Sequence, residues 1–233
     1  MDKLKLIKAL WQQIPSTEIT KIYCNTDFDA IVLDLEHGVF NNETLFSLIQ
    51  LINASNKLSF VRVTEPIKSQ IRLLLDSNVS GIIFSTFELE QSNKIEEWCL
   101  YPPLGKRGQG LVSENNWGDN KLQINKVKLI AQIENKKSIS QLSNIVKTNL
   151  FDYYVLGPYD LTADLGCVAD WGNKKYLELV DKFNDEIPIE KRGVHIVSNI
   201  ENEYKNKFIN YGFVALGMDT TIIKSGIENL DRI

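Results

Sequence analysis

Glu134, Asp160, His37 and Arg62 are the residues of this chain whose types and positions could do chemistry. Glu134 ends the apolar run LIAQIE and Asp160 ends YVLGPYD. Two carboxylates at neighbouring strand ends make a hard oxygen site for Mg²⁺ or Mn²⁺, which keep several waters and take substrate oxygens as further ligands. The same pair can also be read as solvated or ion-paired surface carboxylates. His37 closes IVLDLEH, and an imidazole with an ordinary pKa of about 6.5 moves protons in either direction near neutrality. Asp34, Glu36 or Asp76 could orient its ring, or the residue could be a structural cap. His195, inside GVHI, reads first as a hydrogen-bonded core histidine. Arg62 interrupts FVRV. A buried guanidinium costs several kcal/mol unless it meets an anion, here either a neighbouring carboxylate or a substrate carboxylate or enolate. Arg107, in GKRGQG, is a substrate clamp or a surface charge. GPYD opens a helix whose free amides can hold a carboxylate.

The elements that must position these groups are short and apolar. IVLDLEH (31–37), FVRV (60–63), LIAQIE (129–134), YVLGPYD (154–160), GVHI (193–196) and VALGMD (214–219) each end in a charged or polar group, and VSGIIF (79–84) is a further buried run. Between them lie stretches with helical spacing: 16–24 capped by Ser16 or Thr17, 41–55 with Leu45, Leu48, Ile49 and Ile52 in line, and 66–76 with Ile67, Ile71, Leu74 and Leu75. Further helices are expected over 88–100, over KKSISQLSNIV, over 173–184, around 200–210, and from about 219. Residues 101–120, rich in Pro, Gly and Asn, are expected to form a long loop acting as a lid or substrate wall. Strict alternation of parallel-type strands with helices predicts an α/β fold, and about eight units point to a closed (β/α)8 TIM barrel. In such a barrel the catalytic groups share one mouth at the carboxyl ends of the strands. Glu36, His37, Arg62, Glu134, Asp160 and His195 then converge. A doubly wound sheet is the alternative, although no GxGxxG fingerprint follows a strand.

The length of 233 residues is close to the roughly 250 of one barrel, so residues 1–233 are expected to form a single domain. A net charge of −4, without a basic face, argues against nucleic acid and anionic membrane and leaves a small molecule as the ligand. Cys24, Cys99 and Cys167 form neither a paired framework nor a thiolate zinc pattern, which fits a reducing cytoplasm. No apolar run approaches the ~18 residues of a membrane span, and the first 15 residues lack the core of a signal peptide.

The motifs FDAIVLDLEHG, FVRV, the LLLD before VSGIIF, YPPLGKRGQG, AQIE, GPYDLTADLG and VALGMDT occur in this order over nearly the whole chain. In this combination the chain resembles the HpcH/HpaI aldolase/citrate lyase family, the metal-dependent class II pyruvate aldolases. The resemblance implies a (β/α)8 barrel, commonly hexameric with an exchanged terminal helix, so a homo-oligomer (a hexamer or trimer of dimers) is expected. It implies Glu134 and Asp160 as ligands of Mg²⁺, Mn²⁺ or Co²⁺, and Gln132 with Gly157, Pro158 and Tyr159 as the pyruvate cradle. Arg62 is implied to stabilise the enolate, and His37, supported by Asp76 or Asp34, to shuttle the proton. The implied reaction is reversible cleavage of a 4-hydroxy-2-oxo acid to pyruvate and an aldehyde.

Some positions depart from the family pattern. Tyr159 stands where a small residue is common, His195 occupies a usually apolar strand end, the loop after RGQG is short, and GIIFSTFE lacks a proline. These departures fall on pocket walls and put the aldehyde partner in question. Two other readings stand beside the aldolase: a CoA-thioester lyase of the same superfamily, whose members usually run longer, and a catalytically silent ligand-binding subunit.

Overall fold

The computed structural model describes residues 6–85, 87–119, 127–197, 207, 208 and 210–230. Eight parallel strands close into a barrel in sequence order: β1 (Ile7–Gln12), β2 (Ala30–Asp34), β3 (Leu58–Val63), β4 (Gly81–Phe84), β5 (Lys128–Ile133), β6 (Tyr153–Leu156), β7 (Arg192–Ile196) and β8 (Phe213–Met218), with β8 pairing back onto β1. The expected (β/α)8 barrel is the fold observed.

Side chains alternate between the two faces of a strand, and here the two faces fill two separate cores. Ile7, Ala9, Trp11, Ala30, Val32, Phe60, Ile83, Ile130, Tyr153, Val155, Phe213 and Ala215 pack inside the barrel. The intervening positions, such as Ile31, Leu33, Val61 and Ile82, pack outward under the helices. Strands buried on both faces explain the continuous apolar runs of the sequence.

The helices in order are α1 (Thr17–Cys24), α2 (Asn42–Ala54), α3 (Lys68–Asp76), α4 (Ser92–Cys99), α5 (Lys136–Ser140), α6 (Leu142–Lys147), α7 (Pro158–Asp164), α8 (Lys174–Glu186) and α9 (Asp219–Leu230). Ser16 caps α1 by accepting from the Ile19 amide, and Asn41 caps α2 by accepting from the Thr44 amide at 2.8 Å, as N-cap chemistry requires. In α3, Ile71, Leu74 and Leu75 are buried, whereas Ile67 lies just outside the helix and is exposed. The single helix expected over KKSISQLSNIV is two, because Gln141 leaves helical geometry (φ −94°, ψ 1°). The helix expected around 200–210 falls largely outside the described residues.

β1 is a strand that sequence periodicity did not predict. Lys8 breaks its apolar pattern because its side chain is exposed. The strand is tied to the far end of the chain: the buried Asp219 carboxylate accepts from the amides of Gln13 (3.0 and 3.1 Å) and Ile14 (2.8 Å). Asp219 therefore serves barrel closure, although the run VALGMD that it ends resembles those leading into the mouth. Asp219→Ala is expected to lower unfolding stability by about 2–3 kcal/mol, since it orphans half-buried amides and removes charge-assisted hydrogen bonds. Chemical denaturation would measure the loss.

Candidate active site

The inward row of each strand is apolar at the bottom of the barrel and turns polar at the top. Counting on by two from the interior core residues places Gln13 above Trp11, Asp34 above Val32, Arg62 above Phe60, Gln132 and Glu134 above Ile130, and Gly157 above Val155. A cavity of about 230 Å³ opens there, lined by Gln13, His37, Arg62, Gln132, Gly157, Pro158, Tyr159, Asp160, His195, Val197 and Met218. Of the predicted site residues, His37, Arg62, Gln132, Gly157, Pro158, Tyr159 and Asp160 meet at this one cavity. Glu134 is buried beside it.

Asp34 and Arg62 are register partners on β2 and β3, so their side chains meet in a two-pronged pair, Nε to Oδ1 at 2.8 Å and Nη2 to Oδ2 at 2.6 Å. The third nitrogen, Nη1, lies 2.8 Å from Glu36 Oε2, and the guanidinium carbon sits 5.0 Å from the centre of the Trp11 ring. Burial opposes the charge on Arg62, but Asp34, Glu36 and Glu134 outweigh it and raise its pKa. Asp34 is fully buried and also accepts from Trp11 Nε1 (3.1 Å) and Gln13 Nε2 (3.0 Å). Burial alone would raise its pKa, yet the Arg62 guanidinium and these two donors hold the carboxyl at about 2. The result is a cation fixed in one orientation at the cavity wall.

Gln132 donates its amide to Glu134. A Cβ on Gly157 would lie 2.7 Å from Glu134 Cβ, 3.0 Å from Glu134 Oε2 and 3.2 Å from Gln132 Nε2. Only a glycine allows β6 to end against that carboxylate and amide. Beyond it, Pro158 starts α7, and Asp160 stands exposed in its first turn. The amides of that turn have no partner within the helix. Tyr159 borders the cavity, but its ring is drawn aside into an edge contact with Trp171, 5.0 Å between centroids. It narrows the mouth without filling it.

His37 is exposed at the cavity rim, and its backbone N–H, rather than its ring, donates to Asp34 at 3.4 Å. Asp34 is thus committed to Arg62 and the backbone. The assignment of Asp76 to His37 is corrected: at the end of α3 its carboxylate accepts from Arg107 Nη2 at 3.1 Å and lines a different cavity of about 570 Å³ with Phe46, Arg72, Ser113 and Trp117. The long loop departs from expectation in the same way. Arg107, sandwiched between Glu114 and Asp76 and lying over the Tyr101 ring at 4.5 Å, fastens the loop to α3. Its described residues border that outer cavity and not the mouth.

Sequence reasoning missed Trp11 and Gln13, which brace Asp34. The signal was the alternation Ile7, Ala9, Trp11, Gln13, visible once Lys8 and Gln12 are assigned to the other face. Among the described residues no group of three or more His, Cys, Asp or Glu is arranged to hold a metal ion.

A closed parallel barrel with a fixed cation, carboxylates and an imidazole gathered at the carboxyl ends of its strands defines a barrel enzyme acting on a small molecule. Residues 8–224 match the model of the HpcH/HpaI aldolase/citrate lyase family, and the chain belongs to that family, which makes it a carbon–carbon lyase. It is 25% identical over 230 residues to a 2-keto-3-deoxy-L-rhamnonate aldolase of Salmonella paratyphi A, covering 95% of this chain and 86% of that protein. Its fold is similar to that of an HpcH/HpaI aldolase from Desulfitobacterium hafniense DCB-2 (TM-score 0.85, 18% identity, covering 99% of this chain and 94% of that one). It is also similar in fold to the citrate lyase beta subunit of M. tuberculosis complexed with oxaloacetate and magnesium (TM-score 0.62, 12% identity, 95% and 96% covered). Among the described residues no helix is long and apolar enough to cross a membrane.

Proposed function

We propose that this protein is a divalent-metal-dependent aldolase that reversibly cleaves a 4-hydroxy-2-oxo acid to pyruvate, or a close 2-oxo acid, and an aldehyde. The observation that carries this is the pairing, at one small cavity, of a fixed guanidinium (Arg62) with a glycine-floored cradle (Gly157) beside Gln132 and Glu134.

The donor set fits a hard cation. Glu134 and Asp160 supply two carboxylates, and among the described residues the buried Gln132 Oε1 beside them has no hydrogen-bond partner, a further oxygen donor at the same place. Two protein carboxylates with waters and substrate oxygens suit Mg²⁺, Mn²⁺ or Co²⁺. When bound, such an ion supplies Lewis-acid polarisation of the 2-oxo group. Gln132 and the first amides of α7 hold the 2-oxo acid's carboxylate. Arg62, oriented by Asp34 and Glu36, faces the oxygen that gains negative charge as the enolate forms, and a preorganised donor there lowers the barrier. His37, at the open rim, takes the proton of the 4-hydroxyl during cleavage and returns it to the alkoxide in the condensation direction. No lysine Schiff base is required.

Residues 1–233 are read as one catalytic domain, and Cys24, Cys99 and Cys167, all free, support a reducing cytoplasmic setting. Ile222, Ile223, Ile227 and Leu230 of α9 are 46–68% exposed, and this apolar stripe supports assembly of several copies into a homo-oligomer.

The test is proton exchange without any aldehyde. Metal-stripped protein is incubated with pyruvate in deuterated water, with and without Mn²⁺, Mg²⁺ or Co²⁺, and the methyl signal is followed by NMR. Deuterium uptake that needs the ion is expected. Absence of uptake with every ion, in folded protein, would remove the aldolase assignment.

A further inference from the structure

Among the described residues lining the mouth cavity, His195 is a polar group that the mechanism leaves unused. His195 is 8% exposed and forms part of the cavity wall. Its ring is stacked on Trp11, with centroids 3.9 Å apart and planes 12° from parallel. The Gly217 carbonyl takes one ring hydrogen bond, while Nε2 has no partner. Nδ1 therefore carries the proton, and Nε2, an atom shielded from solvent, keeps a lone pair that is unpaired among the described residues. Gly217 has φ +70°, a conformation glycine adopts without strain. The backbone that fixes this tautomer is thus itself specified by the sequence.

Position decides which part of a substrate lies against His195. The strand pairing Leu156↔Val194 sets Gly157 beside His195, as Ile133↔Leu156 sets Glu134 beside Gly157. The 2-oxo acid half is held from β5, the start of α7, and Arg62 on β3. The wall left for the other half is formed by His195, Val197, Met218 and Gln13. Val197 and Met218 are apolar, and Gln13 Nε2 donates to Asp34. Beside Gln13, His195 is the polar group of that wall.

We infer that His195 is a specificity-determining residue whose Nε2 accepts a hydrogen bond from a hydroxyl on the aldehyde half of the substrate, so that the partner is a 2-hydroxyaldehyde rather than an alkyl or carboxylate-bearing aldehyde. This rests on the aldolase assignment and narrows it. Burial first, and then the neighbouring Arg62 charge, push the imidazole's pKa down to about 3, so the ring is an acceptor at every working pH. An acceptor buried at a substrate wall selects for a proton donor, because a methyl group leaves it unpaired and a carboxylate repels its lone pair.

In the condensation direction, the methyl carbon of pyruvate forms a bond to the aldehyde carbon, and the proton lost from the methyl group is balanced by the one gained by the new alkoxide. Glycolaldehyde and propanal are near-isosteric acceptors that differ by hydroxyl against methyl. The wild-type enzyme is expected to favour glycolaldehyde by at least about tenfold in kcat/KM, the value of one buried hydrogen bond. His195→Phe keeps an aromatic ring on Trp11 and removes the acceptor, so it should bring that ratio close to one, and His195→Gln, with an amide oxygen, should recover part of it. A wild-type ratio near one overturns the inference even if no variant folds, and so does a ratio unchanged in His195→Phe. Metal-dependent deuterium uptake by the wild type separates the two levels. With uptake but no hydroxyl preference, only the role of His195 falls; without uptake, the aldolase assignment falls and takes this inference with it.

Discussion

Arg62→Ala is expected to reduce metal-dependent deuterium uptake into pyruvate about 10²–10³-fold, the usual cost of removing a preorganised donor at a developing oxyanion. Mn²⁺ affinity should be unchanged or slightly tighter, because the Arg62 charge that acts on Glu134 is lost. A weaker Mn²⁺ site in Arg62→Ala would show instead that the arginine only holds the carboxylates in place. The same substitution should carry a separate cost in folding. Asp34 would remain buried against Trp11 and Gln13 with its cation gone, and breaking a buried pair from one side costs about 3–5 kcal/mol. Arg62→Lys keeps a charge without the planar fork, and should recover stability more fully than turnover.

The pH dependence of that stability has a definite sign. Asp34 has a folded pKa of about 2 against an ordinary 3.8. A depressed carboxyl pKa contributes stability that is complete above the ordinary value and is lost as pH falls through the folded one. Between pH 4 and pH 2 the wild type should therefore lose roughly 2 kcal/mol through this group. Arg62→Ala, in which the shift is largely absent, should lack that part of the acid dependence. Urea titrations at pH 7, 4, 3 and 2 on both proteins measure it.

The sequence made the barrel legible because its information is periodic. Runs such as AIVLD and GIIF, buried on both faces, read as parallel strands without knowledge of their neighbours, and α2 shows its stripe of Leu45, Leu48, Ile49 and Ile52, all buried. β1 was illegible because an exposed Lys8 and the pair Gln12 and Gln13 interrupt it; Gln12 turns its amide to the carbonyls of Ile14 and Ser16. Losing β1 also hid Trp11 and Gln13. Contacts between distant segments left no local trace either. Nothing in LLLD announces that Asp76 meets Arg107 from 31 residues further on, and nothing in the long loop says that it folds onto α3. Asp34 was visible only as a possible partner of His37, whereas register makes it the partner of Arg62. Motif order marked which residues matter at the mouth, and strand register decides whom they touch.

Glu134→Gln gives the sharpest test of the oxygen site, because it removes a charge and one good metal ligand while keeping shape. The fold should tolerate it: Gln132 can donate to an amide oxygen in place of the carboxylate, and the close approach of Gly157 is unaffected by the exchange of one oxygen for nitrogen. Mn²⁺ affinity, followed by the paramagnetic resonance of the free ion, should drop at least about 100-fold, since losses beyond the ligands themselves already cost 10–100-fold. Deuterium uptake should fall with it. Asp160→Asn should behave similarly, because hard divalent ions are held by ligand charge as much as by geometry. Removing both charges should add little to removing one, as either single variant leaves too few charged oxygens to hold the ion. If Glu134→Gln bound Mn²⁺ like the wild type and still exchanged the methyl protons, the cation would have to sit elsewhere, and the gap at Gly157 would need another occupant.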